Sequence, residues 1–241
     1  MTVDARPGAT ELALEFARLS AFLTAGGTRE EALRRLVALA VEAVPGCTSA
    51  GVTAWPEGQR PRSLAASDGT ATAADDLQHS LGKGPCLEAA SDAELVRSPD
   101  LLADDRWPRL RSALEARTPV RGVVAVEVAR EPERRALNVY STEPGALDGP
   151  SVDVAVLVGA HARVLLAHVD SADEALGLRR ALGTSRRIGT AVGVLMHAHR
   201  VTADEAFGLL VRSSQLLNRK LHDVADDVAR SGELPGRAPG R

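Results

Sequence analysis

The chain has 241 residues, 44% hydrophobic and 25% charged with a formal net charge of −3, a composition that excludes wholesale disorder. Its two cysteines, Cys47 and Cys86, are too few for a disulfide framework or a cysteine-based zinc site. No apolar run reaches the ~18 residues of a membrane span, and the N-terminus lacks a secretion-signal pattern, so we expect a cytoplasmic protein with no membrane partner.

The first 45 residues predict two helices. The first is marked by a stripe of apolar side chains at steps of four, three and four: Leu12, Phe16, Leu19 and Leu23. The second begins after two glycines, where Thr28 is followed by Glu31 at the spacing of a capping box.

Four β-like runs follow, at 48–55, 62–67, 121–129 and 135–141. The last two are joined by the polar stretch REPERR and predict a β-hairpin. The region 70–118 is less regular, with short helical pieces. We expect a pocket lined mostly by aliphatic side chains between the sheet and this region.

From about residue 150 the pattern is that of one long helix. Six apolar residues follow the 4-3 spacing of a helix–helix seam: Val158, Ala162, Leu165, Val169, Ala172 and Leu176. This seam predicts a homodimer through residues 152–182. The same stripe also fits a helix lying on its own domain. Both interpretations hold if the first half packs on the sheet and the second half on a partner chain.

The remaining residues predict three helices and a basic surface. Thr202 and Glu205 repeat the capping-box spacing, and Gly232 followed by Pro235 ends the last helix. Residues 179–241 carry 11 Lys and Arg against 6 Asp and Glu, whereas residues 1–178 carry 18 against 26. A basic unit attached to an acidic one predicts a polyanionic partner for the basic unit; the alternative is chance patterning of solvated faces.

Several motifs at the C-terminus occur together: RRIGTAVGVLM (186–196), TADEAF (202–207) and NRKLHDVA (218–225). This segment closely resembles the ANTAR domain of transcription antitermination regulators. Upstream, LGKGPCLEA (81–89), DLLADDRWP (100–108) and RALNVYSTEPGALD (135–148) look like the GAF domains that accompany ANTAR in actinobacterial regulators. Together the two resemblances cover nearly the whole chain.

The resemblance implies a three-helix RNA-binding module, often dimeric through the preceding helix. Such a module binds tandem hairpins in nascent transcripts, in competition with a terminator stem. The chain would then be a signal-responsive antitermination regulator, with a GAF sensor controlling the RNA-binding module, and not an enzyme. The basic residues that would contact RNA, and that we expect to converge on one exposed surface, are Arg186, Arg187, Arg212, Arg219 and Lys220.

The sequence departs from the family at two positions. ANTAR domains commonly have Lys where this chain has Val192, and Arg where it has Val211. Because affinity for a polyanion depends on the number of phosphates neutralised, losing two cationic contacts predicts weaker RNA binding.

The sensor half offers few candidate ligand contacts. Cys86 could be a sensor thiol or lie beside an unknown small molecule, although a buried structural role is the commoner one. Trp107 is the other candidate, but the adjacent Pro108 favours a packing anchor. The sequence shows no nucleophile–base arrangement, phosphate-binding loop or paired metal-ligand spacing, so we expect no catalytic residue, metal or cofactor.

Two alternatives remain open. One is a ligand-sensing signalling dimer whose degenerate ANTAR bundle docks proteins. The other is a DNA-binding helix-turn-helix regulator, for which Asn218, Arg219 and Lys220 would begin the recognition helix. The turn expected at 213–217 lacks the usual glycine of that motif, which disfavours it.

The predicted fold class is α+β. An N-terminal GAF domain at 1–150, with an antiparallel sheet of five or six strands flanked by helices, precedes a helical connector at 151–182. A three-helix ANTAR bundle follows at 183–235, and residues 236–241 form a flexible tail.

Overall fold

The computed structural model describes residues 9–24, 27–91 and 93–235. Its contacts divide the chain into two compact units, the first ending at Asp170 and the second beginning at Ser171. The first unit combines a sheet with helices, whereas the second is helical throughout its regular structure. The predicted fold class is thus confirmed. The predicted tail at 236–241 lies outside the described residues.

The first unit is built on a five-stranded sheet in which every neighbouring pair is antiparallel. Its strands are β1 (Ser49–Trp55), β2 (Arg62–Ala66), β3 (Leu95–Ser98), β4 (Gly122–Ala129) and β5 (Arg134–Ser141). Across the sheet their order is β2-β1-β5-β4-β3. Four strands and the β4–β5 hairpin confirm the sequence predictions. Strand β3 was not predicted, because four residues at a sheet edge give too short an alternation to recognise.

Six helices accompany the sheet. They are α1 (Ala9–Thr24), α2 (Arg29–Ala43), α3 (Gly69–Leu81), α4 (Pro85–Ser91), α5 (Pro108–Arg117) and α6 (Gly149–His199), of which α6 continues into the second unit. Helix α2 begins as predicted, since the Thr28 side chain accepts a hydrogen bond from the Glu31 amide. Helix α1 is also confirmed, and its Phe16 packs against the sheet core. The side chains of Leu12, Leu19 and Leu23 lie outside the described residues.

The two faces of the sheet carry different cores because successive strand residues point to opposite sides. On one face, α2 and the first part of α6 form an aliphatic core that includes Leu36, Val124, Leu137 and Leu166. On the other face, α3, α4 and α5 form a second core around Leu77, Trp107, Leu110, Val123 and Tyr140. The region 70–118, predicted to hold short helical pieces, thus contains helices α3, α4 and α5, whose bounds the sequence did not reveal. Their small residues and short lengths weaken the apolar periodicity that would reveal them.

The first half of α6 belongs to the aliphatic core. Val158, Ala162, Leu165 and Val169, the first four residues of the predicted seam, are buried there. Gly159 allows the close approach, because a Cβ at this position would lie 2.6 Å from Val126 Cγ1. These four residues are therefore covered by the chain's own domain and do not form a seam with a partner.

Beyond Asp170 the same helix is exposed. Every residue from 171 to 183 is exposed, including Leu176, which is 45% accessible. The predicted stripe therefore splits into a buried half and an exposed half. The exposed half is the part that a partner chain could still cover.

The second unit is a three-helix bundle formed by the end of α6, α7 (Ala203–Leu217) and α8 (Leu221–Ser231). Its core includes Leu195, Leu210 and Val224. Thr202 and Glu205 make the predicted capping box, and α8 ends at Gly232 as predicted. The turn expected at 213–217 is wrong, because α7 continues to Leu217. It ends at Asn218, a residue type that tolerates the left-handed conformation seen there (φ 50°).

Among the described residues, one helix, α6, has a window long and apolar enough to span a membrane, with a mean hydropathy of 1.6. The apolar side chains of its first half, such as Val158 and Leu165, fill the aliphatic core. Core packing accounts for part of the hydropathy, and α6 is the connector between the units and not a clear membrane span.

Candidate nucleic-acid interface

Three of the five basic residues predicted to bind RNA are exposed and unpaired. Arg186 lies on α6, Arg212 on α7, and Lys220 is the N-cap residue of α8. In the described part of the chain, none of their side chains has a hydrogen-bonding or ion-pair partner. Each guanidinium or ammonium group therefore presents its full set of donors to solvent or to a ligand.

The other two predicted residues are held by acidic residues of α8. Arg187 donates hydrogen bonds from two nitrogens to Asp226, and its Nε lies 2.5 Å from Asp226 Oδ1. Arg219 Nη1 donates to Asp227 Oδ2 at 2.7 Å. Asp227 also accepts from Arg230. Hydrogen bonds from Arg219 and Arg230 lower the pKa of Asp227, so this carboxylate stays charged at neutral pH.

The structure thus brings Arg187 and Arg219 to the same helix, although they are 32 positions apart in sequence. Arg212 lies on a different element, beside an apolar groove of about 330 Å³. Leu209, Leu216 and Leu217 of α7, with Leu234 and Pro235, line this groove. The convergence of all five residues on one surface stays a prediction.

The two positions that depart from the family pattern are both partly buried. Val192 packs against the bundle core, and Val211 is half-exposed on α7. Val192 therefore contributes to the stability of the bundle.

The first unit contains a buried polar cluster that the sequence patterns did not reveal. Asp75 of α3 is fully buried, and it accepts hydrogen bonds from Tyr140, Asn138 and Ser63. Burial raises the pKa of Asp75 to about 7, against the lowering effect of these hydrogen bonds. Gln78 extends the cluster by donating to the Tyr140 hydroxyl at 2.8 Å.

This cluster was not foreseeable because its members are distant in sequence and unremarkable one by one. Asp75 is adjacent to Asp76 on a helix of small residues, a pattern that normally marks a solvated face. Asn138 and Tyr140 lie on β5, more than 60 positions away. The cluster occupies the place between the sheet and α3 and α4 where we expected an aliphatic pocket.

The two candidate ligand contacts are both buried. The Cys86 amide donates to Gln78 Oε1 at 2.9 Å, and burial raises the pKa of its thiol well above the ordinary value. Trp107 is 4% exposed in the second core, and its indole nitrogen donates to Glu88. Cys86 therefore has a neutral thiol, and Trp107 has the packing role that the sequence favoured.

The other cysteine is also a free thiol, and burial raises the pKa of Cys47 to about 12. Among the described residues, no group of His, Cys, Asp and Glu could hold a metal ion.

Comparison with known proteins agrees with this architecture. Residues 177–228, which cover the end of α6, α7 and nearly all of α8, match the model of the ANTAR domain family. A search of curated proteins finds no match.

Solved structures resemble the first unit. A GAF domain from a phosphoenolpyruvate-protein phosphotransferase of Coxiella burnetii superposes with a TM-score of 0.51 at 14% identity, covering 69% of this chain and 99% of that one. The corresponding Acinetobacter domain gives 0.51 at 14%, covering 68% and 96%. A bacteriophytochrome from R. palustris gives 0.50 at 11%, covering 87% and 48%. At these identities the likeness shows the fold alone.

The chain combines a GAF-like fold with an ANTAR domain. Both domain types are regulatory and generally non-enzymatic.

Proposed function

We propose that this protein is an RNA-binding transcription antitermination regulator. In this proposal the GAF-like unit senses a signal and controls the ANTAR bundle, which binds tandem hairpins in nascent RNA. The match of residues 177–228 to the ANTAR family carries the proposal. The exposed, unpaired Arg186, Arg212 and Lys220 support it, because they can neutralise phosphates without first losing an internal partner.

Hairpin RNA suits such a surface. Hairpin loops present unstacked bases and phosphates together, and arginine can both pair with phosphate and stack on a base. Transcripts are made in the cytoplasm of a bacterium, so we place the protein there. The signal is a small molecule in the GAF-like unit, and its entry would require the buried cluster around Asp75 and Tyr140 to open.

The proposal includes a homodimer through α6. The contact face is not the seam predicted from the sequence but the opposite, outward side of the helix. Its outward side in the first unit is apolar, with Leu157 54% and Val164 67% exposed. A seven-residue spacing keeps residues on one line of a supercoiled helix, so Leu157 and Val164 form a contact stripe that the core of the first unit leaves uncovered. A dimer would also present two bundles to two hairpins.

The test is a gel-shift titration of the full chain with an RNA of two stem-loops and with duplex DNA. We expect binding to the RNA at low salt, and weaker binding after Arg212→Ala with Lys220→Ala. The matched control is Lys83→Ala with Arg109→Ala, which removes the same charge from exposed positions of the sensor unit. Equal loss from both double variants would mean that net charge alone drives binding. Preference for duplex DNA would favour the helix-turn-helix alternative.

A second candidate function, protein docking by the bundle, is favoured by one observation. Leu216 is 86% exposed beside the groove that Leu209 and Leu217 line, an unusual exposure for a large aliphatic side chain. If no RNA binds at low salt, and Leu216→Ser changes the association of the protein with itself or others in light scattering, docking is the better assignment.

A further inference from the structure

We infer that Asp226 and Asp227 of α8 are built-in competitors of RNA for Arg187 and Arg219, and so set the affinity and salt dependence of the bundle. This inference rests on the proposed function. It concerns two acidic residues that lie outside the predicted set of RNA contacts.

Arg187 binds Asp226 through two donors, in the way that an arginine binds a phosphate. A guanidinium binds a carboxylate or a phosphate through two parallel N–H donors, and Arg187 uses two of its nitrogens on the two oxygens of Asp226. A third contact, from Arg187 Nη2 to the His222 carbonyl oxygen at 3.5 Å, directs the same group toward α8. Arg187 cannot offer this two-point face to a phosphate while Asp226 holds it.

The second pair has the same consequence by a different route. Arg219 lies in the turn before α8 and reaches Asp227, which Arg230 also contacts. Two cations on one carboxylate keep Asp227 ionised and in place. Arg219 is 42% exposed, so RNA can approach its other donors, but Asp227 occupies Nη1 and its negative charge beside the guanidinium repels a phosphate.

When a phosphate replaces a carboxylate on an arginine, one negative group replaces another. A change at either aspartate should therefore alter the affinity for RNA. A phosphate that displaces a carboxylate leaves that carboxylate beside the RNA backbone, where like charges repel. Arg187 and Arg219 therefore contribute less than the unpaired Arg212 and Lys220. Removing the two carboxyl charges should release two further phosphate contacts.

The experiment measures RNA affinity over a range of salt concentrations for the full chain and for Asp226→Asn, Asp227→Asn and the double variant. The probe is one RNA with two stem-loops. Each new phosphate contact adds about 0.7–0.9 to the slope of log affinity against log salt, so the double variant should be steeper by about 1.4–1.8 and bind roughly tenfold tighter at low salt. Asp223→Asn is the matched control, because Asp223 lies on the same helix and pairs only with neighbouring His222 among the described residues.

A double-mutant cycle isolates the competition. Arg219→Ala should change affinity by less than about twofold in the natural sequence and by about fivefold or more in the Asp227→Asn background. Equal effects in the two backgrounds would overturn the inference, as would a double variant that binds no better than Asp223→Asn. RNA binding absent from every variant at low salt would instead overturn the proposed function, and this inference with it.

One variant could fail for a structural reason, since Arg187 and Asp226 tie α6 to α8. Thermal unfolding followed by circular dichroism checks this. The Asp227 arm is independent of that tie, because Arg219, Asp227 and Arg230 are all within or next to α8. If Asp226→Asn unfolds, the double-mutant cycle with Arg219→Ala and Asp227→Asn tests the inference without it.

Discussion

The two units of the chain differ in the environment of their charged residues. The sensor unit buries charged residues and gives each of them partners: Asp75 is held by hydrogen bonds, and Arg135, only 1% exposed, is held by Glu133 and Asp170. The bundle leaves Arg212 and Lys220 at its surface without partners among the described residues. Buried charges are costly unless their partners keep one arrangement, whereas exposed cations add little to stability and remain available to a polyanion. The buried charges of the first unit thus depend on fixed partners, whereas Arg212 and Lys220 of the bundle stay exposed.

The largest effect should come from breaking the buried ion pairs of the sensor unit. Arg135→Ala removes the buried cation that Asp170 and Glu133 share, but both keep Arg29 and Glu133 keeps Arg62. We therefore expect the free energy of unfolding to fall by about 3 kcal/mol, the lower end of the range for breaking a buried ion pair. Urea unfolding followed by circular dichroism measures it. Arg134→Ala, its exposed neighbour on β5, should change stability by less than about 0.5 kcal/mol. Similar losses of unfolding free energy in both variants would show that substitution in β5, and not loss of the ion pair, causes the destabilisation.

The next effect concerns Asp75 and depends on pH. Its pKa in the folded protein, about 7, lies above the ordinary 3.8, so the unfolded chain releases this proton first as pH rises. Stability from Asp75 is therefore fully present below its ordinary pKa and is lost as pH rises through about 7.

Asp75→Asn keeps the acceptor for Tyr140 and Asn138 but cannot ionise. We expect it to be more stable than the natural protein by roughly 2–4 kcal/mol above neutral pH, with little difference in acid. Unfolding measured across this pH range checks it, with exposed Asp76→Asn as the matched control. Parallel pH profiles for natural protein and Asp75→Asn would assign the dependence to other groups.

Local signals in the sequence predicted the frame of both units well. The Thr202–Glu205 capping box, the β4–β5 hairpin and the end of α8 at Gly232 depend on residues a few positions apart, and all three are confirmed. Contacts between distant residues were beyond such reasoning. Asp75 meets Tyr140 across 65 positions, and Arg187 meets Asp226 across 39.

The α6 seam shows a subtler limit. A 4-3 spacing shows that one side of a helix is apolar, but it does not identify the surface that covers that side. Val158 to Val169 are covered by the sheet, while the outward stripe with Leu157 and Val164 was overlooked because alanines interrupt its pattern.

This difference between the two sides of α6 gives a matched pair of variants. Leu165→Glu should destabilise the sensor unit, because it buries an unpaired charge in the aliphatic core. Val164→Glu, one residue away and 67% exposed, should leave the unfolding temperature of the monomer, measured at concentrations below the dimer dissociation constant, unchanged. It should raise the dimer dissociation constant by about tenfold or more, about 1.4 kcal/mol. Sedimentation equilibrium measures the association. A natural chain that sediments as a monomer at micromolar concentration would contradict the dimer.

The smallest expected effect tests the proposal that the bundle binds RNA. Val211→Arg adds a cation at a half-exposed site on α7. Val192→Lys must keep its methylene stem on the bundle core while the ammonium group extends into solvent, which long basic side chains can do. Together they should strengthen RNA binding by on the order of 1 kcal/mol, since hydrogen bonds to charged groups exceed the cost of ordering two side chains.

Val192→Met with Val211→Met is the neutral control for changes in packing. If the charged and neutral pairs bind RNA alike, with the same salt slope, these positions do not face the RNA. If no RNA binds at low salt even with both cations restored, the exposed charge of the bundle serves solubility, and its apolar groove becomes the surface that explains this unit.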